Sequence, residues 1–151
     1  MTIAELFTVE YPKTLVYDEM TPADVGINFV SSQGKDNGVV SKVAEAKGVK
    51  IYPAGVITVP LKGTVLCAHL QPKPCYVAHQ IAVLTAKKAM STPEKLFYCA
   101  CIRRNAFRFS YGRQAYKTLK DIALPDAVPE WTETVFADTV HQNIRLLQKL
   151  N

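Results

Sequence analysis

The sequence has no apolar run approaching the roughly 18 to 20 residues that a bilayer-spanning helix needs, although 48% of its 151 residues are hydrophobic. Its apolar residues are dispersed in short groups, which excludes a helical membrane protein and predicts one core of short elements. A basic, apolar leader is also lacking. Met1–Glu10 already holds two acids, Glu5 and Glu10, so the expectation is a soluble cytoplasmic protein. Cysteine is scarce: Cys67, Cys75, Cys99 and Cys101 are the four. Cys99 and Cys101 lack the two-residue gap of a zinc knuckle, and His69 and His79 supply no regular second pair. Buried free thiols are therefore expected, with no metal and no disulfide. The seven glycines form no G-x-x-x-x-G-K, G-x-G-x-x-G or G-x-S-x-G pattern, so neither a phosphate-cradling loop nor a hydrolase nucleophile elbow is present. Repeats and low-complexity linkers are absent too. The one plausible boundary is the proline-punctuated stretch 124–130.

A further absence points toward function. In "IRRNAFRFSYGRQAYKTLK", residues 102–120, there is no acid, while Arg103, Arg104, Arg108, Arg113, Lys117 and Lys120 are all cationic. Residues 1–30 are the reverse, with Lys13 against Glu5, Glu10, Asp18, Glu19 and Asp24. The net charge of 18 − 13 = +5 is thus unevenly spread, as in proteins with one electropositive face for a polyanion. Four aromatic rings lie between those cations. Phe107 and Phe109, alternate residues beside a buried helix, are expected to point into the core. Tyr111 and Arg113, flanking Gly112 in a turn that feeds a helix N-terminus, are placed to meet a phosphate.

Local patterning gives the scaffold. "GINFVSSQGKDNGVVSKV" reads as a strand at 27–30, a polar loop, and a second strand from Val39 after the turn-forming Asn37-Gly38 pair. "AGVITVPLKGTVLCAHLQPKPCYVAHQIAVLTAK" reads as a β-meander of three or four strands broken at Lys62-Gly63 and at 71–74, with Pro60 at an edge or bulge. Ser91 and Glu94 have capping-box spacing, with Pro93 in the first turn. The helix they begin is apolar nearly all round from Leu96 to Ile102 and should be buried until Arg103. A short helix near 114–120 and an extended 122–125 follow. From Pro129 onward Phe136, Val140, Ile144, Leu147 and Leu150 form one helical stripe.

Asp24 with Glu45-Ala-Lys47 has the residue order of a magnesium-dependent nuclease, in which two carboxylates hold the metal and a lysine assists water. The pattern is short, and Lys42, Glu45, Lys47 and Lys50 fit an exposed loop rim after the Val39 strand better. His69, His79 and His141 are scattered and read as structural.

Taken in order, "NGVVSKV", the long β-rich segment, "FRFSYGRQAYKTLKDIALPD" and "PEW" resemble the target recognition domain of specificity subunits of type I restriction-modification systems and of the related type IIB and IIG systems. The resemblance runs from Leu6 to about Trp131. It implies an α+β fold, a small twisted β-meander or barrel-like sheet with packed helices, followed by a C-terminal spacer-type helix. Residues 1–128 would be the recognition domain and 129–151 the start of a spacer or dimerisation helix. The implied function is non-catalytic: reading one half of a split target in double-stranded DNA and docking a DNA methyltransferase subunit. That subunit, not this chain, would bind S-adenosylmethionine, and no N-P-P-Y methyltransferase signature occurs here. A second copy or a nuclease subunit are further implied partners, and a membrane is not. Since a full specificity subunit has two recognition domains, the expectation is a half-subunit, a small recognition subunit or a fragment. Alternatives are the nuclease of Asp24, Glu45 and Lys47, and a decoy that occupies the methyltransferase docking surface. Phosphate contacts are expected from Arg103, Arg104, Arg108, Tyr111, Arg113 and Lys117, and base contacts from Ser32, Lys35, Asn37, Lys62, Gln71 and Lys73.

Overall fold

A computed structural model describes residues 1–12, 17–109 and 118–150, and within these the side chains of Phe109, Leu147 and Leu150 are not described. A one-turn helix α1 (Ile3–Leu6) leads into β1 (Phe7–Glu10). There follow β2 (Pro22–Val30), β3 (Val39–Val43), β4 (Ile57–Pro60), β5 (His69–Leu70), β6 (Cys75–Val77), β7 (Ile81–Ala86), α2 (Thr92–Arg103) and α3 (Trp131–Leu150). The strands divide between two open sheets, β1-β7-β4-β5 and β3-β2-β6.

The mixed class and the C-terminal helix agree with expectation, but the segment from β4 to β7 is not one meander. Strand β6 leaves its neighbours to pair in parallel with β2, Asn28 opposite Cys75 and Val30 opposite Val77. Two prolines between β5 and β6 deny the chain the tight hairpin that would have kept β6 beside β5. Strand β7 explains why its run is apolar without alternation. Ala82 and Leu84 pack with α1 and α2, whereas Ile81 and Val83 pack with the second sheet, so both faces are buried. Pro60 lies in an interior strand, yet β5 pairs only with Ile57 and Thr58. Pro60 therefore sits beyond the reach of β5, where a missing N–H forfeits no ladder bond.

The first core cluster joins Ile3, Phe7, Ile57, Val59, Leu84, Tyr98, Ile102, Leu119 and Ile122. The second, between the sheets, joins Phe29, Val43, Tyr52, Tyr76, Val77, Ile81 and Val83. Of the thiols, Cys75 and Cys99 are buried in different clusters, and Cys67 and Cys101 are half-buried; none is bonded to another. Burial pushes the Cys75 thiol up to about 11 and the Cys99 thiol up to about 12, so both are inert neutral groups.

Helix α2 begins as its sequence dictates. Ser91 accepts the Glu94 N–H at 3.3 Å, and Pro93 occupies the first turn. It is one-sided, not buried all round: Tyr98, Cys99 and Ile102 face the core while Leu96 is 40% exposed. The exposed side meets α3, where Phe97 and Trp131 stand edge to face at 6.2 Å and Ser91 donates to Glu133 at 2.8 Å. Beyond that docked first turn α3 has little cover, and Val140 and Ile144 remain 39% and 46% exposed.

Candidate nucleic-acid interface

Three segments far apart in sequence meet at one side of the sheets. The first is the loop 31–38, which follows β2. Its backbone turns through three consecutive left-handed residues, Asp36 (φ 52°), Asn37 (φ 57°) and Gly38 (φ 78°). Only Gly adopts that region without strain, and Asn and Asp tolerate it best of the rest. The turn is closed by Ser31 N–H to the Gly38 carbonyl at 2.9 Å and Gly38 N–H to the Lys35 carbonyl at 3.0 Å. Gln33 reaches across it, its Nε2 donating to the Val39 carbonyl at 2.6 Å.

The second segment is the loop 61–68, between β4 and β5. Thr64 Oγ1 donates to the Ser32 carbonyl, and Gly63 lies so close to Ser32 that a Cβ on it would stand 3.3 Å from the Ser32 hydroxyl. Lys62 and Lys35 are exposed on these joined loops.

The third is the end of α2 and the one-turn 3₁₀ helix Ala106–Phe109. Arg103 draws it in: Nε donates to the Ala68 carbonyl at 2.8 Å, and the guanidinium meets His69 Nδ1 at 2.9 Å. Arginine can only donate, so Nδ1 accepts and the neutral ring carries its proton on Nε2, which lies 3.6 Å from the Cys67 sulfur. His69 is buried to 6% exposure. Loss of solvent first, and the Arg103 charge second, hold its pKa below the usual 6.5, while a backbone contact to Gln33 pulls the other way.

Several expected contacts change meaning here. Gln71 is completely buried and cannot reach a base; its Nε2 donates to the Asn37 carbonyl and to Thr58 Oγ1, both at 3.0 Å. Asn37 is exposed, but its Nδ2 is committed to the Leu70 carbonyl at 2.7 Å. Arg103 stays exposed while its guanidinium is engaged, so a phosphate there would share it with Ala68 and His69. Arg104 and Arg108 are exposed and follow it in chain. Phe107, expected in the core, is 73% exposed. It lies in a 3₁₀ turn with three residues per turn, so strand alternation does not apply, and Ala106 takes the inward position. Lys73 is exposed but precedes β6. The parallel pairing with β2 puts it toward the start of that strand, whereas Ser32 follows the strand's end. Lys120 stands over the Tyr11 ring at 5.6 Å, beside β1. Tyr111, Arg113 and Lys117 lie outside the described residues. On these three contacting segments Lys35, Lys62, Arg103, Arg104 and Arg108 are exposed and Ser32 is half-buried.

The nuclease candidates lie at the surface. Asp24 projects from a bulge in β2, since both Pro22 and Ile27 stand opposite Val43. Gly26 permits the bulge, because a Cβ there would stand 2.3 Å from the Val43 carbonyl oxygen. Asp24, Glu45 and Lys47 are all exposed, and no group of three or more His, Cys, Asp or Glu among the described residues is arranged to hold a metal ion.

No family model and no curated protein matches the sequence. Solved structures do. The HsdS subunit from Thermoanaerobacter tengcongensis superposes with a TM-score of 0.68 at 12% identity, over 100% of this chain and 39% of that one. A chain from a structural study of complex assembly and conformational transition of the type I R-M system gives 0.69 at 14% identity, over 99% of this chain and 40% of its own. The fold is that of a recognition domain of an HsdS subunit. The S subunit of the type I restriction-modification system from M. genitalium matches less fully, with a TM-score of 0.54 at 14% identity over 72% of this chain and 26% of that one. The chain thus spans about two fifths of the length of the first two chains it matches. Among the described residues no helix is long and apolar enough to cross a membrane.

Proposed function

We propose that the chain is the DNA-recognition module of a restriction-modification system, a non-catalytic component that reads one half-site in duplex DNA. The observation that carries this is the joined face itself: an HsdS-like fold gathers loops 31–38 and 61–68 and the Arg104–Arg108 turn, and leaves their cations outward. Arg104, Arg108, Lys35 and Lys62, with Arg113, Tyr111 and Lys117 from the adjoining segment, grip phosphates and set the register. Ser32, Lys35 and Lys62 offer polar groups to base edges in the major groove. Residues 1–128 form the recognition domain, and 129–151 the assembly helix.

Helix α3 then serves the partners. Its outer residues Val140 and Ile144 lack cover within the described chain, and each such side chain gains roughly 1.5 to 3 kcal/mol on full burial. A DNA methyltransferase subunit carrying S-adenosylmethionine is the expected occupant, with a second copy of the chain or a nuclease subunit completing the assembly.

The test is selection from a pool of random-sequence duplexes, with magnesium present and the products sequenced. The native chain is expected to enrich a short contiguous motif and to leave the DNA uncut. Cleavage would revive Asp24, Glu45 and Lys47. A chain that binds the methyltransferase yet enriches no sequence is the decoy, and sequence reading is then wrong.

A further inference from the structure

We infer that Gln71, a residue with no exposed surface, positions the 31–38 loop and thereby sets which sequence the proposed DNA face prefers. The second half of this statement rests on the DNA-recognition reading; the first does not.

The loop's three consecutive left-handed residues need support from outside the loop, because two of them carry side chains that strain that conformation. Gln71 supplies it from a rigid place. Its N–H donates to the Val56 carbonyl at 2.9 Å and its carbonyl accepts from the Gly55 N–H at 2.8 Å, which ties its main chain to the segment entering β4. Its side chain then divides. Nε2 bonds backward to Thr58 Oγ1 in β4, itself 1% exposed, and outward to the Asn37 carbonyl. Asn37 returns the contact, its Nδ2 standing 3.4 Å from Gln71 Oε1 and 2.7 Å from the Leu70 carbonyl. One buried amide therefore joins β4 and the end of β5 to the middle of the left-handed turn. Directly beneath, His69 packs so near Gly38 that a Cβ there would stand 3.3 Å from the ring.

Such a strut matters for reading because a base-edge hydrogen bond tolerates only a few tenths of an ångström in donor–acceptor distance. Ser32 and Lys35 ride on the loop that Gln71 holds. Phosphate contacts made by long flexible cations elsewhere on the face are far less demanding. Loss of the strut should thus erase preference and spare general affinity, a split that damage to the fold as a whole would not produce.

The experiment uses Gln71→Met, which keeps the volume and removes every side-chain hydrogen bond. In hydrogen exchange on the DNA-free chain, the amides of Ser31 and Gly38 should exchange roughly tenfold faster or more, while those of β4 and β7 stay protected. In binding, preference for the duplex selected by the native chain over random duplex should fall by roughly tenfold or more, and affinity for random duplex should stay within about twofold. If Gln71→Met does not fold, Thr58→Val carries the same exchange measurement, since valine keeps the shape of threonine and removes the hydroxyl that anchors Gln71 Nε2 in β4. Unchanged exchange at Ser31 and Gly38, or intact preference in Gln71→Met, overturns the inference. A native chain that selects no sequence overturns the DNA-recognition reading and the specificity half with it, while the exchange arm still decides whether Gln71 holds the loop.

Discussion

Arg103 illustrates how a residue's role depends on what surrounds it more than on its type. In the sequence it is the first of six cations, and in the fold its exposed side chain also pins Ala68 and His69. Gln71 and Phe107 moved in opposite senses, the polar residue into the interior and the aromatic one out to solvent. None of these placements was legible, because each depends on contacts between residues tens of positions apart. The features that were legible are local: the Asn37-Gly38 turn, the Ser91 cap and the burial of Cys75 and Cys99. The Arg103–His69 pair also gives a pH prediction. A histidine whose folded pKa lies below 6.5 contributes stability that is fully present above about pH 6.5 and is lost as pH falls through the folded value. His69→Asn, which keeps an acceptor near Nδ1 and cannot be protonated, should melt with a flatter pH dependence than the native chain between about pH 7 and 5. Its cost at pH 7 should be on the order of 1 kcal/mol. Parallel melting curves for the two proteins across that range would show that His69 is not buried as a neutral acceptor.

Elements were easier to foresee than their arrangement. Helices α2 and α3 could be placed from caps and periodicity, and β2 and β3 from the loop between them. That β6 would cross to the second sheet could not be foreseen, since three buried residues, Cys75–Val77, satisfy either sheet equally. The face of α2 that meets α3 was likewise hidden in a sequence that looked apolar all round. The start of α3 is docked through Trp131 against Phe97 and Glu133 against Ser91, beside an apolar groove lined by Leu96, Phe97, Trp131 and Phe136. Substituting Val140→Lys with Ile144→Lys should therefore change stability by less than about 0.5 kcal/mol while abolishing self-association or methyltransferase binding in sedimentation. Deleting residues 140–151 should do the same. A large fall in melting temperature, with no change in sedimentation, would mean that the helix serves the core and not a partner.

At the scale of the whole molecule, the fold brings loops 31–38 and 61–68 and the end of α2 into contact, with exposed cations on all three segments. The charge asymmetry that suggested a polyanion partner was visible in sequence. That the loops carrying Lys35 and Lys62 would meet each other and the end of α2 that carries Arg103 needed the fold. The central claim is that this face binds duplex DNA through its phosphates. The most direct test is a filter-binding titration of the native chain with random-sequence duplex over a range of salt concentrations. About five neutralised phosphates predict a slope of log K against log salt near −4 to −5, reduced by about two in Arg104→Glu with Arg108→Glu. A slope near zero, or a slope unchanged in the double variant, would contradict the account.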